Sequence, residues 1–262
     1  MRKTPLEKEW QAFLKKEQQF ITSKQQSSVN VYSALDKYIP TKLQETLNLA
    51  FFKGFQTIFE KGDCVLNKIL SEQQHTDEYR SNEYSVFANQ NKKNIKAFSK
   101  KANHTNSGNM LLSGVEGVGL GLLGIGLPDI PIFIGMILKS IYQIAIDFGF
   151  EYSTPRERIF ILRVIEASLL SGESFLQLNS KIDRIIQQDE AKPTEQDFEE
   201  QIRYTADALS QELLYAKFVQ GLPIVGAVGG MSNIGCMYKI TKYASLKYNK
   251  RFLKRKEIIN TL

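Results

Sequence analysis

The chain is poor in the residues that build disulfide frameworks and metal centres. Its 262 residues include two cysteines and two histidines, and none of them stands at metal-ligand spacing from another: Cys64, Cys236, His75 and His104. The first residues, MRKTPLEKEW, contain no apolar signal region. We therefore expect a reducing, cytoplasmic setting, and we predict no metal ligands and no catalytic residues.

Strand-like patterning is also lacking, because no stretch alternates apolar and polar residues for long. The segment from Gly119 to Gly124, GLGLLG, matches the dinucleotide-binding fingerprint in form. That motif requires a preceding strand and an acidic residue about 20 positions later. No strand is predicted here, and Lys139 stands near the acidic position. We interpret the glycines as helix-packing positions and predict an all-α protein without a cofactor.

One long apolar block is present, Met110–Phe150, and the sequence Leu-Pro-Asp-Ile-Pro divides it. Proline suits the start of a helix but not its interior, so Pro128 and Pro131 indicate that one helix stops and another begins. Small residues on one helix face permit close approach of a neighbouring helix. Four glycines before the turn share such a face: Gly114, Gly117, Gly121 and Gly124. We predict a multi-helix bundle around a central glycine-rich hydrophobic helical hairpin.

Four polar residues in the apolar regions are candidate core or ligand contacts: Glu116, Asp129, Lys139 and Asn233. Asp129 is expected to cap the second helix of the hairpin. Glu116 and Lys139 lie at comparable distances from the turn, and we hypothesise that they form a buried or half-buried ion pair. Asn233 is expected to bond to the backbone at a tight helix contact, with ligand binding as the alternative.

Amphipathic helices are predicted on both sides of the hairpin. Capping boxes with proline at the first helical position indicate helix starts at Thr4 and Thr154. Further helices are predicted to begin near Thr41 and Thr194. We predict one α-helical domain over residues 1–262. Its parts include an N-terminal helix and linker (1–30), a polar, mobile connection (71–109) and a basic C-terminal helix or tail (239–262).

Positive charge is concentrated at the C-terminus. The net charge is +6, and Lys239–Leu262 alone contains eight basic residues and one acidic residue. Aromatic residues interleave with these cations, as in an interfacial helix: Tyr238, Tyr243, Tyr248 and Phe252. The pattern predicts contact with an anionic membrane surface, and a solvated helix face is the alternative. The candidate membrane contacts are Lys247, Lys250, Arg251, Lys254, Arg255 and Lys256.

Several motifs resemble those of the EcsC family of bacterial proteins. They are Leu-Pro-Asp-Ile-Pro from Leu127, Lys-Ser-Ile from Lys139, Ala-Ile-Asp-Phe-Gly-Phe from Ala145, Pro-Ile-Val-Gly-Ala from Pro223, the Gly229–Gly230 pair, Asn233 and Lys-Arg-Phe-Leu from Lys250. The likeness runs from about Ile39 to Leu253. The family is named for a protein encoded beside the subunits of an ABC transporter, and it has no established activity. The resemblance implies a bacterial protein at the inner face of the cytoplasmic membrane.

The favoured function is that of a non-enzymatic, membrane-associated accessory protein that docks on anionic lipid or on a membrane protein such as a transporter subunit. Each half of the hairpin approaches the ~20 apolar residues that span a bilayer. Glu116 and Lys139 would each cost about 2.5–3.5 kcal/mol at its centre, so peripheral binding is favoured over insertion. The alternative is a lipid-like small-molecule binding protein or hydrolase, with a pocket beside the hairpin. Nucleic acid is a weaker expectation because no recognition motif accompanies the basic tail.

Overall fold

The computed structural model describes residues 5–26, 39–62, 129–187, 193–219 and 229–261, and these residues form seven α-helices. In chain order they are α1 (Pro5–Gln26), α2 (Thr41–Lys61), α3 (Asp129–Asp147), α4 (Pro155–Leu169), α5 (Gly172–Gln187), α6 (Glu195–Val219) and α7 (Gly229–Thr261). No strand occurs within these ranges. The predicted all-α class is confirmed.

Local signals in the sequence account for the helix boundaries. The Thr154 hydroxyl accepts a hydrogen bond from the Glu157 N–H at 3.2 Å, which caps α4. At the start of α6 the Asp197 N–H donates to Thr194 Oγ1 at 3.1 Å. Helix α2 ends before Gly62, whose φ of +68° lies in the region that favours glycine. The predicted starts of these helices are confirmed.

The chain divides into two compact units. Unit 1 comprises Met1–Ala34, Lys139–Ala208 and Lys239–Leu262, and unit 2 comprises Leu35–Leu138 and Leu209–Tyr238. Helices α3, α6 and α7 each contribute residues to both units. The division therefore does not test the prediction of a single domain.

In unit 2, α2 packs closely against the first half of α3. A Cβ atom added at Gly54 would lie 2.6 Å from Ile134 Cδ1, so the absence of a side chain permits this approach. The rings of Phe51 and Phe133 meet edge-on beside it, with 6.4 Å between centroids. The second half of the predicted hairpin is thus a helix packed in a core. The first half, which contains the four glycines of the predicted packing face, lies outside the described residues.

In unit 1, α4 forms much of the core. Ten of its fifteen residues are buried: Glu157, Ile159, Phe160, Ile161, Leu162, Val164, Ile165, Ala167, Ser168 and Leu169. The charged residues Arg156, Arg158 and Arg163 lie on the remaining side, so a wide apolar face of α4 points into the core. Large side chains from α5 and α7 are fully buried in the same unit, namely Phe175, Tyr243 and Tyr248. Helix α1 packs against α5 at the edge of this core.

Candidate functional site

Four charged side chains meet where α1, α5 and α7 come together. Lys247 Nζ lies 3.0 Å from Glu17 Oε1 and 2.7 Å from Asp183 Oδ1. Lys250 Nζ lies 2.9 Å from Glu17 Oε1 and 3.0 Å from Asp183 Oδ2. Each ammonium group therefore contacts both carboxylates. We call Glu17, Asp183, Lys247 and Lys250 the four-charge cluster.

The four-charge cluster is largely shielded from water, and Asp183 is its most exposed member. The side chain of Lys247 is 0% exposed and that of Glu17 is 6% exposed. Two positive and two negative groups leave the cluster neutral, which is the condition under which charges are tolerated in a protein interior. In the described part of the chain, no buried side-chain nitrogen or oxygen lacks a hydrogen-bond partner.

Two uncharged side chains, Tyr243 and Asn179, extend the hydrogen-bond network of the cluster. The Tyr243 hydroxyl donates to Asn179 Oδ1 at 2.8 Å, and Asn179 Nδ2 donates to Asp183 Oδ2 at 3.3 Å. Burial raises the pKa of Tyr243 well above its ordinary value, and the nearby carboxylates of Asp183 and Glu17 add to this. Tyr243 is therefore a permanent donor at physiological pH.

A second buried charge pair joins α7 to α4. Arg251 donates two hydrogen bonds to Glu157, at 2.6 and 2.9 Å, and the Tyr248 hydroxyl donates to the same carboxylate at 2.6 Å. The Arg251 guanidinium also lies between the rings of Phe150 and Phe160, 4.2 and 4.3 Å from their centroids. Burial raises the pKa of Tyr248, and the negative charge of Glu157 raises it further. We call Glu157, Arg251, Phe150 and Phe160 the arginine sandwich.

Lys24 attaches the C-terminal part of α1 to the end of α4. Its Nζ donates to the backbone oxygens of Ser168 and Leu170, at 2.5 and 2.9 Å. These carbonyls belong to the last turn of a helix, where a positive charge also interacts favourably with the helix dipole.

Half of the predicted membrane contacts are therefore engaged inside the protein. Lys247 and Lys250 are buried in the four-charge cluster, and Arg251 is held in the arginine sandwich. In this conformation carboxylates on α1, α4 and α5 bind these three cations, and their role as lipid contacts stays a prediction. Tyr243 and Tyr248 are likewise buried and do not face a membrane interface.

The end of α7 keeps cations at the surface, above aromatic rings. Arg255 is exposed, its guanidinium lies 4.1 Å from the Phe150 centroid, and it donates to the Gly149 oxygen at 3.1 Å. Lys254 is half-buried, with Nζ 5.4 Å from the Trp10 ring. Phe148 and Phe252 stand beside each other, 6.0 Å apart and both half-buried. We call the following six residues the basic–aromatic patch: Trp10, Phe148, Phe150, Phe252, Lys254 and Arg255.

Of the four candidate polar contacts, only the side chain of Lys139 belongs to the described residues. Lys139 is exposed, and Glu116 lies outside the described ranges. Helix α3 does begin at Asp129, but the side chains of Asp129, Asn233 and Lys256 are outside the description. The Glu116–Lys139 ion pair and the ligand pocket beside the hairpin stay predictions.

The acidic partners of these cations, Glu17, Glu157 and Asp183, were not predicted from the sequence. A signal for Glu17 was present, because it stands on the same helix face as Trp10, Phe13 and Phe20. A carboxylate within an apolar stripe is expected to have a cationic partner, since its burial alone would be costly.

The described ranges contain no metal-binding cluster and one apolar helical window. No group of three or more His, Cys, Asp or Glu residues there is placed to hold a metal ion. In the same ranges one helical window, Ile130–Asp147, is long and apolar enough to cross a bilayer, and half of it is buried. The core helix of a soluble protein has the same properties, so this window does not establish insertion.

The fold and site define an all-α protein whose basic C-terminal helix is fixed by buried carboxylates. The model of the EcsC protein family matches residues 6–253. The chain therefore belongs to the EcsC protein family, which confirms the resemblance seen in its motifs. Protein EcsC of Bacillus subtilis (strain 168) is 29% identical over 147 residues, 55% of this chain and 58% of that protein. The match thus spans little more than half of this curated relative. No solved structure matches the chain.

Proposed function

We propose that the protein is a non-enzymatic accessory protein that binds the anionic surface of a membrane through the basic–aromatic patch. The occupant of the patch is a bilayer with acidic headgroups. The site is smaller than the whole basic tail, because Lys247, Lys250 and Arg251 are engaged elsewhere. Lys254 and Arg255 supply the charge, and the aromatic rings beneath them supply the apolar contact.

The observation that carries this proposal is the stacking of surface cations on half-buried aromatic rings at one end of unit 1. Arg255 lies over Phe150 and Lys254 lies over Trp10, so positive charge stands directly above apolar rings. Tryptophan and other amphipathic rings favour the headgroup region, and basic residues favour acidic lipids. Ile146, two residues before Phe148 in the sequence, is 52% exposed and adds an apolar side chain at the C-terminal end of α3.

The state of the buried carboxylates supports a role without catalysis. Glu17 and Asp183 each contact two lysine ammonium groups, and Glu157 accepts from Arg251 and Tyr248. A carboxylate whose oxygens are occupied in this way is not free to contact a substrate, and a general base must lie within hydrogen-bond reach of the proton that it removes. These acids serve to fix α7 rather than to transfer protons.

Sedimentation with vesicles tests the proposal on the full chain. The protein is expected to bind vesicles of equal parts phosphatidylglycerol and phosphatidylethanolamine, and to bind phosphatidylcholine vesicles much more weakly. Each basic residue near an acidic surface contributes about 1 kcal/mol, so the double variant Lys254→Gln with Arg255→Gln should bind roughly thirtyfold more weakly. Added salt should weaken wild-type binding.

A matched control removes the same charge from another surface. Lys181 and Arg184 are both exposed on α5 and belong neither to the patch nor to the four-charge cluster. The double variant Lys181→Gln with Arg184→Gln should bind acidic vesicles nearly as well as the wild type does. Equal loss in both double variants would mean that net charge, and not the patch, governs binding.

The partner implied by the family resemblance is an ABC transporter, and we extend the proposal to it. The patch would bring the protein to the membrane in which such a transporter resides. Crosslinking in intact cells from a photoreactive residue at Phe252 should then capture a transporter subunit. Lipid adducts alone would restrict the proposal to the bilayer.

A further inference from the structure

Helix α1 lies antiparallel to α7 and covers a cationic face of it. Trp10 contacts Lys254, Glu17 contacts Lys247 and Lys250, and Phe20 stacks on Tyr243 with 5.5 Å between centroids. Lys242, one residue earlier, lies 5.7 Å from the same Phe20 ring. As the residue numbers rise along α1, those of its partners fall along α7.

Little apolar burial holds α1 in this position. Among its described side chains only Phe13 and Glu17 are buried, whereas α4 buries ten of fifteen residues. Segments with few buried apolar contacts open at low free-energy cost relative to the core of the same protein. The attachment of α1 therefore depends heavily on its polar contacts through Glu17 and Lys24.

Glu17 supplies the covered face with an oxyanion that a membrane can also supply. Residues 239–256 of α7 contain no acidic residue, so each carboxylate that meets this face comes from another helix. Lysine binds carboxylate and phosphate oxygens alike, through charge-assisted hydrogen bonds. A phosphatidylglycerol headgroup is thus a chemical substitute for the Glu17 side chain.

We propose that α1 is an internal cover of the cationic face of α7 and that acidic lipid headgroups displace it. This inference rests on the proposed function and adds the regulation of the same surface. With α1 in place, only the basic–aromatic patch is available. With α1 displaced, the buried Lys247 and Lys250 join the patch, and Trp10 is carried away with α1.

The charges of the cluster make this exchange nearly balanced. Asp183 stays on α5 when α1 leaves, so two ammonium groups then face one carboxylate and the face gains a net positive charge. Leaving a lysine buried without a partner would be strongly unfavourable, but displacement opens the face to water and headgroups. One oxyanion is exchanged for another, which is the condition for a switch that lipid composition can operate.

Reversal of the Glu17 charge tests the cover, because Glu17→Lys places a third cation against Lys247 and Lys250. Glu9→Lys makes the same charge change at an exposed position of α1 and is the matched control. Glu17→Lys should bind the phosphatidylglycerol vesicles at least roughly fivefold more tightly than Glu9→Lys, as expected for further basic residues reaching the surface. Equal binding by the two variants would overturn the cover.

Trp10 reports on the position of α1, because it is the sole tryptophan of the chain. Quenching of its fluorescence by acrylamide, without vesicles, should increase in Glu17→Lys and not in Glu9→Lys. The charge swap Glu17→Lys with Lys250→Glu restores one attractive pair across the contact and should lower quenching below that of Glu17→Lys alone. Tight vesicle binding by Glu17→Lys with Trp10 as shielded as in the wild type would overturn the cover.

A measurement on the wild type removes any dependence on the folding of the variants. Backbone amide exchange in residues 7–26 should accelerate when acidic vesicles are added, while exchange in α4 stays slow. Unchanged exchange in α1 on vesicles that do bind the protein would overturn the cover and leave the proposed function standing. Absence of wild-type binding to acidic vesicles would count against the proposed function itself.

Discussion

Lys247 and Asp183 form a buried ion pair in which Nζ and Oδ1 are 2.7 Å apart and the lysine side chain is fully shielded from solvent. Lysine is almost never fully buried unless it is paired. The pair therefore explains how a residue from the most basic segment of the chain comes to lie in a protein interior. It also makes the stability of unit 1 sensitive to single charge removals.

Replacement of Lys247 by Met should destabilise the protein by about 3–5 kcal/mol, because it leaves the cluster with an uncompensated buried carboxylate. Asp183→Asn should be strongly destabilising for the complementary reason. The double variant retains the neutral Glu17–Lys250 pair and should lose clearly less than the sum of the two single losses. Urea unfolding of the four proteins gives the coupling free energy.

The exposed Lys181 is the control for that cycle, and Lys181→Met should change stability by no more than about 0.5 kcal/mol. Strict additivity of the Lys247 and Asp183 losses would show that the two groups act independently.

In the arginine sandwich, Arg251→Lys should cost about 1–3 kcal/mol despite conserving the charge. Lysine lacks the two guanidinium nitrogens that bind the two Glu157 oxygens in parallel, and it has no planar head group to lie against Phe150 and Phe160. Arg255→Lys is the comparison, because Arg255 stacks on Phe150 in an exposed position. Its loss in thermal or urea unfolding should stay within about 0.5 kcal/mol. Similar losses at the two positions would argue against a special role for the sandwich.

The helices were predictable because their signals are local, as the start of α4 illustrates. Thr154 caps the helix through the Glu157 N–H, as the sequence indicated. The Glu157 carboxylate, which a capping box would direct back to the backbone of Thr154, binds Arg251 instead, 94 residues away. No spacing rule connects residues so distant, so the role of this side chain was not predictable from the sequence.

The same limit explains why the basic tail was predicted to be a cationic surface along its whole length. Counting charges over Lys239–Leu262 predicts a cationic surface only if no carboxylate from elsewhere approaches it. Glu17 and Asp183 lie 230 and 64 residues from Lys247 and reach it through the packing of three helices. Lys254 and Arg255 remain near the surface because α7 extends beyond the buried cluster, and this could be learned only from the structure.

Gly54 gives a prediction about packing in unit 2. Alanine is favoured over glycine in a helix by about 1 kcal/mol, but its Cβ would lie 2.6 Å from the Cδ1 atom of the fully buried Ile134. We expect Gly54→Ala to destabilise by about 1–2 kcal/mol, since the crowded core must shift. Ile134→Val removes the clashing methyl group, so it should restore most of the stability of Gly54→Ala in urea unfolding.

Ile134→Val in the wild-type background is the control and should cost about 0.5–1.5 kcal/mol as an ordinary loss of buried volume. If the valine destabilises the alanine variant as much as it does the wild type, then contact between these two positions does not limit the substitution.

Glu166 gives a prediction about pH. Burial raises the pKa of its carboxyl group above the ordinary value, and the hydrogen bond from Gln201 opposes this only in part. A raised pKa in the folded state means that the protonated form favours folding. The contribution of Glu166 to stability is therefore fully present below its unfolded pKa and is lost as the pH rises through its folded pKa.

Glu166→Gln should remove this pH dependence, because glutamine is uncharged at every pH and its Oε1 can still accept from Gln201 Nε2. The variant should match the wild type in stability near pH 4 and exceed it near neutral pH, where the wild type must keep a desolvated carboxylate in place. Urea unfolding of both proteins between these pH values measures the difference. A constant difference across the range would contradict the prediction, because it would show that Glu166 titrates alike in the folded and unfolded chains and that its burial imposes no cost on the charge.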